Sequence, residues 1–320
     1  MSVAVPALSR PEAGRERVSR ARRARNLAWW SLASLALALV VVPVVWVLYG
    51  VFQHAVPGWR WTALTEITTG VGGGLANAIA GTGVLLLGVG VLVSVVGIGC
   101  GLYLAEFAPA GRLTGLLRSA SEVLSGVPSI VIGYVGYVAL VVGLHWKFSL
   151  LAALIVLTVL VVPYVAKATE IAVGQVPLAY REGAEALGMA RTRMLRTVVV
   201  RAAVPGIATG VIVALAISVG ETAPLLYTAG FSNSYPTAQL VHSPVPYLTY
   251  ATWTFYNDPS GAVKALAFDS MVIIVVLILV LILASRVVVR ISQRHGPERA
   301  VAGGGRRAAA RAARAAGRAR

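Results

Sequence analysis

The sequence has little of what builds disulfides, metal centres or nucleotide-binding loops. It holds one cysteine, Cys100, in 320 residues, so an intramolecular disulfide and a cysteine cluster are both excluded. Its four histidines are far apart and form no H-x-x-x-H or E-x-x-H pair, which predicts no metal site. No lysine follows a glycine, so the G-x-x-x-x-G-K-[ST] phosphate loop is absent and ATP hydrolysis by that route is excluded. We therefore expect a protein that is not an enzyme and carries no cofactor.

Charged residues are also scarce, at 12 % of the chain, whereas 58 % of the residues are hydrophobic. Soluble domains carry about a quarter charged residues, so this balance indicates a membrane protein. Stretches long enough to cross a bilayer run over 27–50, 75–104, 123–144, 148–166, 205–228 and 263–287. Backbone groups in lipid must be satisfied within the segment, which predicts an all-α, polytopic protein with six transmembrane helices. The first stretch is too long for a signal peptide and lacks an A-x-A-like cleavage pattern, so we interpret it as a retained membrane helix.

Acidic residues are fewer still, with 12 Asp and Glu against 28 Lys and Arg and a formal net charge of +16. If the N-terminus is inside, 25 of the 28 basic residues fall on the cytoplasmic side, and only Arg60, Lys147 and Lys264 fall outside. The positive-inside rule therefore places both termini in the cytoplasm of a bacterial cell. Because the excess charge is concentrated in the two tails, we expect contact with anionic lipid headgroups and no binding of nucleic acid.

These patterns divide the chain into four regions. Residues 1–26 form a basic cytoplasmic tail, and residues 27–74 form the first transmembrane helix with an external loop. The membrane core spans 75–290 and includes a charged cytoplasmic loop at 173–204. The Arg- and Ala-rich end, 291–320, is of low complexity and is predicted to be disordered.

The charged loop lies between two apolar stretches and has helix signals of its own. We predict a helix that breaks at Gly188 and resumes over 191–200, with Pro205 ahead of the next span. Such a short amphipathic helix at the membrane surface is expected to bind a soluble protein. The alternative is a charged cytoplasmic turn whose arginines only set the topology.

Glu182, Ala184 and Gly188, followed by the Ala-Ala-Val-Pro-Gly run at 202–206, resemble the E-A-A loop of inner-membrane permeases of binding-protein-dependent ABC importers. Gly183 stands where that pattern has its second alanine. The resemblance implies a MetI-like permease fold and a coupling helix seated in a groove of a separate ATPase subunit. The residues that it assigns to ATPase coupling are Glu182, Ala184, Glu185, Leu187 and Gly188. Apolar contacts with that partner are expected from Leu178, Ala186, Leu187 and Met189.

Two further segments, 125–133 (Ser-Gly-Val-Pro-Ser-Ile-Val-Ile-Gly) and 220–226 (Gly-Glu-Thr-Ala-Pro-Leu-Leu), are similar to the permeases of phosphate-specific transport, in the A-type form. This resemblance implies a subunit that forms half of a pathway for inorganic phosphate. The partners that it implies are a C-type permease, two cytoplasmic ATP-binding subunits and an extracytoplasmic phosphate-binding protein. Three alternatives remain open: an ABC permease for sulfate or molybdate, a secondary transporter driven by an ion gradient, and a membrane scaffold that recruits a signalling protein.

Glu221 is the residue of greatest interest in these segments, because a carboxylate within an apolar span is costly unless it faces an interface or an aqueous path. One hypothesis is that it accepts a hydrogen bond from the proton of hydrogen phosphate, which sulfate lacks. The other is that it pairs with a cation, either Arg201 one span-length away or a residue of the partner permease. Pro224 is predicted to kink the span. The candidate translocation path or gate comprises Glu221, Thr222, Pro224, Arg201, Ser125 and Ser129.

Glycines and aromatic residues support two further predictions. Gly97 and Gly101 form a G-x-x-x-G step, and we expect this step, like Gly133 and Gly136, to be a helix-packing surface. The aromatic stretch 229–262 is predicted to form a short helix on the external side. That helix would either meet the substrate-binding protein or anchor the chain in the membrane interface.

Overall fold

The computed structural model describes residues 20–69, 72–109 and 111–294. Over these residues the regular structure is helical, with no strand beyond an isolated bridge between Thr68 and Gly73. The α-helices are α1 (Arg20–Ala55), α2 (Thr62–Thr65), α3 (Ala76–Leu102), α4 (Arg112–Gly126), α5 (Ser129–Gly136), α6 (Leu150–Gly174), α7 (Leu178–Ala186), α8 (Arg191–Met194), α9 (Val200–Gly220), α10 (Ala223–Thr228), α11 (Leu248–Tyr256) and α12 (Gly261–Arg294). Wider π-helical turns follow three of them, at Tyr103–Phe107, Tyr137–Gly143 and Leu195–Val199. The all-α prediction is confirmed for this part of the chain.

Five helices of the described chain are long and apolar enough to cross a membrane, and a bent pair brings the number to six if it is one span. The five are Ala21–Gly58, Ala76–Phe107, Leu150–Gly174, Arg191–Gly220 and Gly261–Ile291. The span predicted at 123–144 is the bent pair: its helices, Arg112–Gly126 and Ser129–Gly143, meet at 100°. The bend follows from Pro128, since the residue before a proline avoids helical geometry, and Val127 is extended (φ −71°, ψ 130°).

The other predicted spans needed smaller corrections at their ends. The fourth runs on to Gly174, well past the predicted residue 166. The fifth begins at Arg191 and stops at Gly220, so Pro205 lies inside a helix and does not precede it. The predicted tails lie largely outside the described residues: α1 already begins at Arg20, and α12 continues to Arg294.

The described chain divides into two units. The residues of α1 up to Gln53 form the first, and the residues from His54 onward form the second. Within the second unit α6 is central, because 67 % of its most apolar stretch is buried, against 6 % for α12. Its neighbours α3, α5, α9 and α10 contribute side chains to the same core.

Glycines bring the helices around α6 into close contact. A Cβ on Gly97 would lie 2.8 Å from Cβ of Val165, and a Cβ on Gly101 would lie 2.5 Å from the carbonyl oxygen of Ala166. Real Cβ atoms do not approach other atoms so closely, so only glycine allows α3 to lie this near to α6. The predicted packing role of the G-x-x-x-G step is confirmed.

The loop before α3 and helix α11 pack together at one end of the second unit, which we call the α11 end. Ala63 and Leu75 of the loop share a core with Leu248 and Phe255 of α11. The helix predicted within 229–262 is therefore α11, and its apolar side faces the protein. The opposite end carries α7 and is called the α7 end.

Asn77 connects two loops at the α11 end and is completely buried. Its Oδ1 accepts hydrogen bonds from the backbone N–H of Thr68 (3.1 Å) and from the Thr68 hydroxyl (2.9 Å). Its Nδ2 donates to the carbonyl oxygen of Ser232 at 3.0 Å. A buried amide with several partners fixes the loops on either side.

Candidate functional site

Helix α7 ends at Ala186, and the chain turns at Gly188, where the sequence predicted a break. This residue has a φ of +68°, a left-handed conformation that glycine adopts without steric cost. Its N–H donates to the carbonyl oxygen of Glu185 (2.8 Å), and the N–H of Met189 donates to that of Ala184 (3.1 Å). These bonds satisfy carbonyls left open at the helix end and turn the chain towards α8. The predicted break at Gly188 is confirmed.

The two faces of α7 differ sharply in exposure. Ala184 is 4 % exposed and packs among Val176, Leu195 and other side chains of α6 to α9. On the outer face Glu182 and Glu185 are exposed, and Leu187 is 82 % exposed. Ala184 is thus a packing residue that seats α7, and its assignment to ATPase coupling stays a prediction.

The apolar contacts expected around α7 divide in the same way. Leu178 and Ala186 are exposed together with Leu187, whereas Met189 is partly buried against the cluster that surrounds Ala184. The exposed set is available for a partner on the outer face of α7, whereas Met189 lines the groove beside it. Together with Glu182, Glu185 and Gly188, these exposed residues define what we call the α7 surface.

An ion pair that the sequence analysis missed holds α7 to the end of α3. Glu106, in the π-helical turn after α3, contacts the guanidinium of Arg181 on α7, and their side chains are 7 % and 21 % exposed. Arg191 at the start of α8 donates to the carbonyl oxygen of Glu106 (2.6 Å) and stacks over Phe107, 5.5 Å from the ring centre. Glu106 lies just beyond the predicted apolar stretch 75–104, whereas Glu221 drew attention because it lies within one.

These residues line a groove of about 320 Å³ at the α7 end. Carboxylates of Glu106, Glu182 and Glu185 face guanidinium groups of Arg181 and Arg191 across it. The groove opens at the surface and has charge of both signs, which suits a protein partner better than a single small anion.

A second site lies where the fifth span breaks. Glu221 follows the last residue of α9 and is extended (φ −72°, ψ 127°), and α10 begins two residues later. Pro224 lies in the first turn of α10, where its missing N–H costs nothing. The predicted kink at Pro224 is therefore wrong: the span is interrupted at Glu221 and Thr222, and Pro224 starts a new helix.

Contacts from two other parts of the chain hold Glu221 in this break. Its carboxylate lies beside the Ser129 hydroxyl, at the start of α5. Its carbonyl oxygen accepts a hydrogen bond from the Thr249 hydroxyl of α11 at 2.9 Å. The structure thereby brings Ser129 and Glu221, from the two segments that the sequence singled out, to one place.

Close packing of α5 on α10 makes this meeting possible. A Cβ on Gly133 would lie 2.4 Å from Cα of Pro224, so the two backbones touch. Beside this contact, the rings of Tyr134 and Tyr227 meet edge to face, with their centroids 6.0 Å apart. The packing role predicted for Gly133 is confirmed, and that packing sets the position of Ser129 relative to Glu221.

Of the remaining candidates, Ser125 and Arg201 lie apart from this site and Thr222 lies within it. Ser125, beyond the bend, donates to the carbonyl oxygen of Ser121 within α4 (2.9 Å). Arg201 is exposed at the other end of α9, which at 1.5 Å per residue puts it roughly 30 Å from Glu221. A direct pair between Arg201 and Glu221 is therefore excluded. Thr222 is half-buried beside Glu221, at the beginning of α10.

A small, mainly apolar cavity of about 10 Å³ lies next to the break. Hydroxyl groups of Thr82, Ser218, Tyr247 and Thr249 line it together with leucine side chains. The Thr82 hydroxyl accepts a hydrogen bond from the backbone N–H of Leu248 at 3.0 Å. Helix α3 thus reaches the translocation candidates at one end and the α7 surface at the other. No group of three metal-ligating side chains occurs among the described residues.

Broken apolar helices around the half-buried Glu221, with an exposed helix that ends in the turn at Gly188, indicate a multi-pass membrane transport subunit. Residues 97–295 match the family model of the binding-protein-dependent transport system inner membrane component. The chain belongs to this family, as its E-A-A-like loop predicted.

Within the family the chain is similar to the PstA permeases. It is 50 % identical over 290 residues to phosphate transport system permease protein PstA 2 of Mycobacterium bovis, covering 91 % of this chain and 95 % of that protein. It is 34 % identical over 270 residues to the phosphate transport system permease protein PstA of Yersinia pestis, covering 83 % and 90 %. The resemblance to A-type permeases of phosphate-specific transport is confirmed.

Solved structures support the fold. A chain of the MetNI methionine ABC transporter, in inward-facing form, superposes with a TM-score of 0.55 at 19 % identity, covering 68 % of this chain and 97 % of that one. At this identity the likeness shows the fold alone, and it confirms the predicted MetI-like permease architecture.

Proposed function

We propose that this chain is the A-type permease subunit of an ATP-driven importer of inorganic phosphate and forms half of its translocation pathway. The observation that carries the proposal is the near-complete match, at 50 % identity, to a permease named for phosphate transport. The exposed α7 surface and the half-buried Glu221 site supply the two features that such a subunit needs, a coupling surface and a polar point in the membrane path.

The proposed partners follow from this role. Two ATP-binding subunits would hydrolyse ATP, each permease holding one of them through its coupling helix. On this chain Leu178 and Leu187 would enter the groove of the ATPase, while Glu182 and Glu185 would meet basic groups at its edge. A C-type permease would form the other half of the pathway, and an extracytoplasmic phosphate-binding protein would deliver the cargo.

The proposed orientation puts the α7 end in the cytoplasm, where ATP is. Arginines are concentrated there, at Arg181 and at four positions from 191 to 201. Arg60, Lys147 and Lys264 fall at the other end, with the starts of α3, α6 and α12. This distribution obeys the positive-inside rule.

In the proposed mechanism Glu221 discriminates among oxyanions. A carboxylate repels a dianion, so attraction cannot be its contribution. It can accept a hydrogen bond from the proton of hydrogen phosphate, whereas sulfate offers no proton at neutral pH. The Ser129 hydroxyl lies beside Glu221 and can donate its one proton either to the carboxylate, which orients it, or to an oxygen of the anion.

Reconstitution tests the function directly. The tagged chain is purified with its associated subunits, placed in vesicles, and assayed for uptake of labelled phosphate with and without ATP. Uptake that depends on ATP and on a recovered ATPase is expected. Uptake without ATP would favour the secondary transporter, and stronger competition by sulfate or molybdate than by phosphate would favour an importer of another oxyanion.

A further inference from the structure

We propose that Glu106 is a positioning residue for coupling, which ties the ATPase-facing helix α7 to α3 so that its movement reaches the translocation site. This inference rests on the proposed function. It concerns a residue outside the E-A-A-like loop, at the end of a different span.

Glu106 joins three elements through two different groups. Its carboxylate contacts Arg181 of α7, and its carbonyl oxygen accepts the hydrogen bond from Arg191 of α8. The π-helical turn ends at Phe107, so the Glu106 carbonyl has no partner further along its own helix and is free to accept. Because the carboxylate is only 7 % exposed, loss of Arg181 would leave a buried charge unpaired.

Without this connection, the described residues hold α7 to α6 and not by an ion pair to α3. The chain enters α7 through the short turn at residues 175–177, and Arg181 donates a hydrogen bond to the carbonyl oxygen of Val173 in α6 (3.3 Å). Ala184 packs among apolar side chains, and apolar contacts are not directional. The ion pair adds a charged contact between α7 and the end of α3.

Helix α3 leads from that point to the Glu221 site. At Gly97 and Gly101 its backbone lies directly against α6, so the half of α3 nearer to Glu106 cannot shift without α6. At its other end the buried Thr82 lines the cavity that it shares with Ser218 and accepts the hydrogen bond from Leu248 of α11. A displacement of Glu106 is thereby passed along one continuous helix to the wall beside the broken span.

The test compares transport with ATP hydrolysis in the reconstituted complex. In Glu106→Gln the size of the side chain is kept and its charge is lost. We expect the phosphate imported per ATP hydrolysed to fall by about tenfold or more, while the ATPase still co-purifies and hydrolyses ATP within about twofold of the wild-type rate. Arg181→Gln is expected to give at least the same loss, because it also removes the hydrogen bond to Val173, and the double variant is expected to lose no more than Arg181→Gln alone.

The control variant is Glu122→Gln, because Glu122 is an exposed glutamate of α4. It is expected to keep the wild-type ratio of phosphate to ATP. A purely structural role of Glu106 would lower the recovered protein, the bound ATPase and uptake together, and leave the ratio intact. An unchanged ratio in Glu106→Gln overturns the proposal.

A second measurement does not depend on the cargo. Spin labels are attached through Ala179→Cys, at an exposed residue of α7 outside the α7 surface, and Val91→Cys on the exposed side of α3, with Cys100 replaced by alanine. Because Glu106 ties α7 to α3, ATP is expected to leave the distance between the labels unchanged in the wild-type background and to change it in Glu106→Gln. The same response in both backgrounds would overturn the proposal. If the wild-type complex imports no phosphate, the proposed function fails, and the label distances still decide the role of Glu106.

Discussion

Replacing Gly133 with alanine is expected to separate the two segments that form the Glu221 site. The added Cβ would lie 2.4 Å from Cα of Pro224, and that neighbour is backbone, so no side-chain rotation can relieve the clash. Carbon atoms reach favourable contact at about 3.5 Å, so α5 must move away from α10 by about 1 Å. Ser129 lies one turn before Gly133 on the same short helix and moves with it.

The cost follows from the two consequences of that movement. Overpacking in a close-packed region costs about 1–3 kcal/mol, because the backbone and not only a side chain must shift. A 1 Å displacement also moves the Ser129 hydroxyl away from the Glu221 carboxylate beside it. If the closed packing is required for transport, this energy corresponds to roughly a five- to 150-fold loss of the competent state.

The assay is ATP-dependent phosphate uptake in vesicles, normalised to the amount of inserted subunit, with thermal stability in detergent measured in parallel. Gly99→Ala is the matched control, because Gly99 is an exposed glycine within α3 and its added Cβ meets nothing within 4 Å. Gly133→Ala should lose uptake and stability, while Gly99→Ala should keep both. Wild-type uptake in Gly133→Ala would refute the reasoning about this contact.

Three further predictions follow from single residues. Gly188→Ala should lower the stability of the turn by about 1 kcal/mol or more, because φ is +68°, and less ATPase should co-purify. Gly183→Ala is the control: its added Cβ meets open space, so co-purification should be unchanged. Glu221→Gln should insert normally but lose the preference for phosphate over sulfate, measured by competition, and unchanged rate and selectivity would refute its role. Asn77→Ala should lower thermal stability by roughly 1–3 kcal/mol, since the buried N–H of Thr68 loses its acceptor, and an unchanged melting temperature would contradict this.

The positions of the spans were largely predictable, but their interruptions were not. Apolar length is read directly from composition, and it located every helix that is long enough to cross a membrane. Pro128 and Pro224 carried the right signal, yet the outcomes differ. Pro128 lies at the bend of 100° between two helices, and Pro224 lies in the first turn of a helix after the break at Glu221. Whether a proline kinks a helix or begins one depends on the partners available to the freed backbone groups, and these come from other helices.

The site residues show the same division. Glu221 could be singled out because an ionisable residue in an apolar run is unusual by itself. Its contact with Ser129 could not be predicted, and the hypothesis that chose Arg201 as its partner ignored the length of the helix between them. Ala184 belonged to a recognisable pattern, but the pattern does not reveal which face of α7 turns inward. That face is fixed by the cluster around Val176 and Leu195.

The sequence alone determined that this is a membrane protein with six apolar stretches and showed which loops and tails are rich in arginine. It also showed that the loop around Gly188 resembles a coupling segment. These are properties of composition and local order. Only the tertiary structure decided that Glu106 meets Arg181 and that Arg191, 85 positions from Glu106, binds the same turn. Contacts between distant residues depend on how closely the helices pack. Glycines such as Gly101 allow an approach that a single added methyl group would prevent, and no local sequence pattern shows which residues then meet.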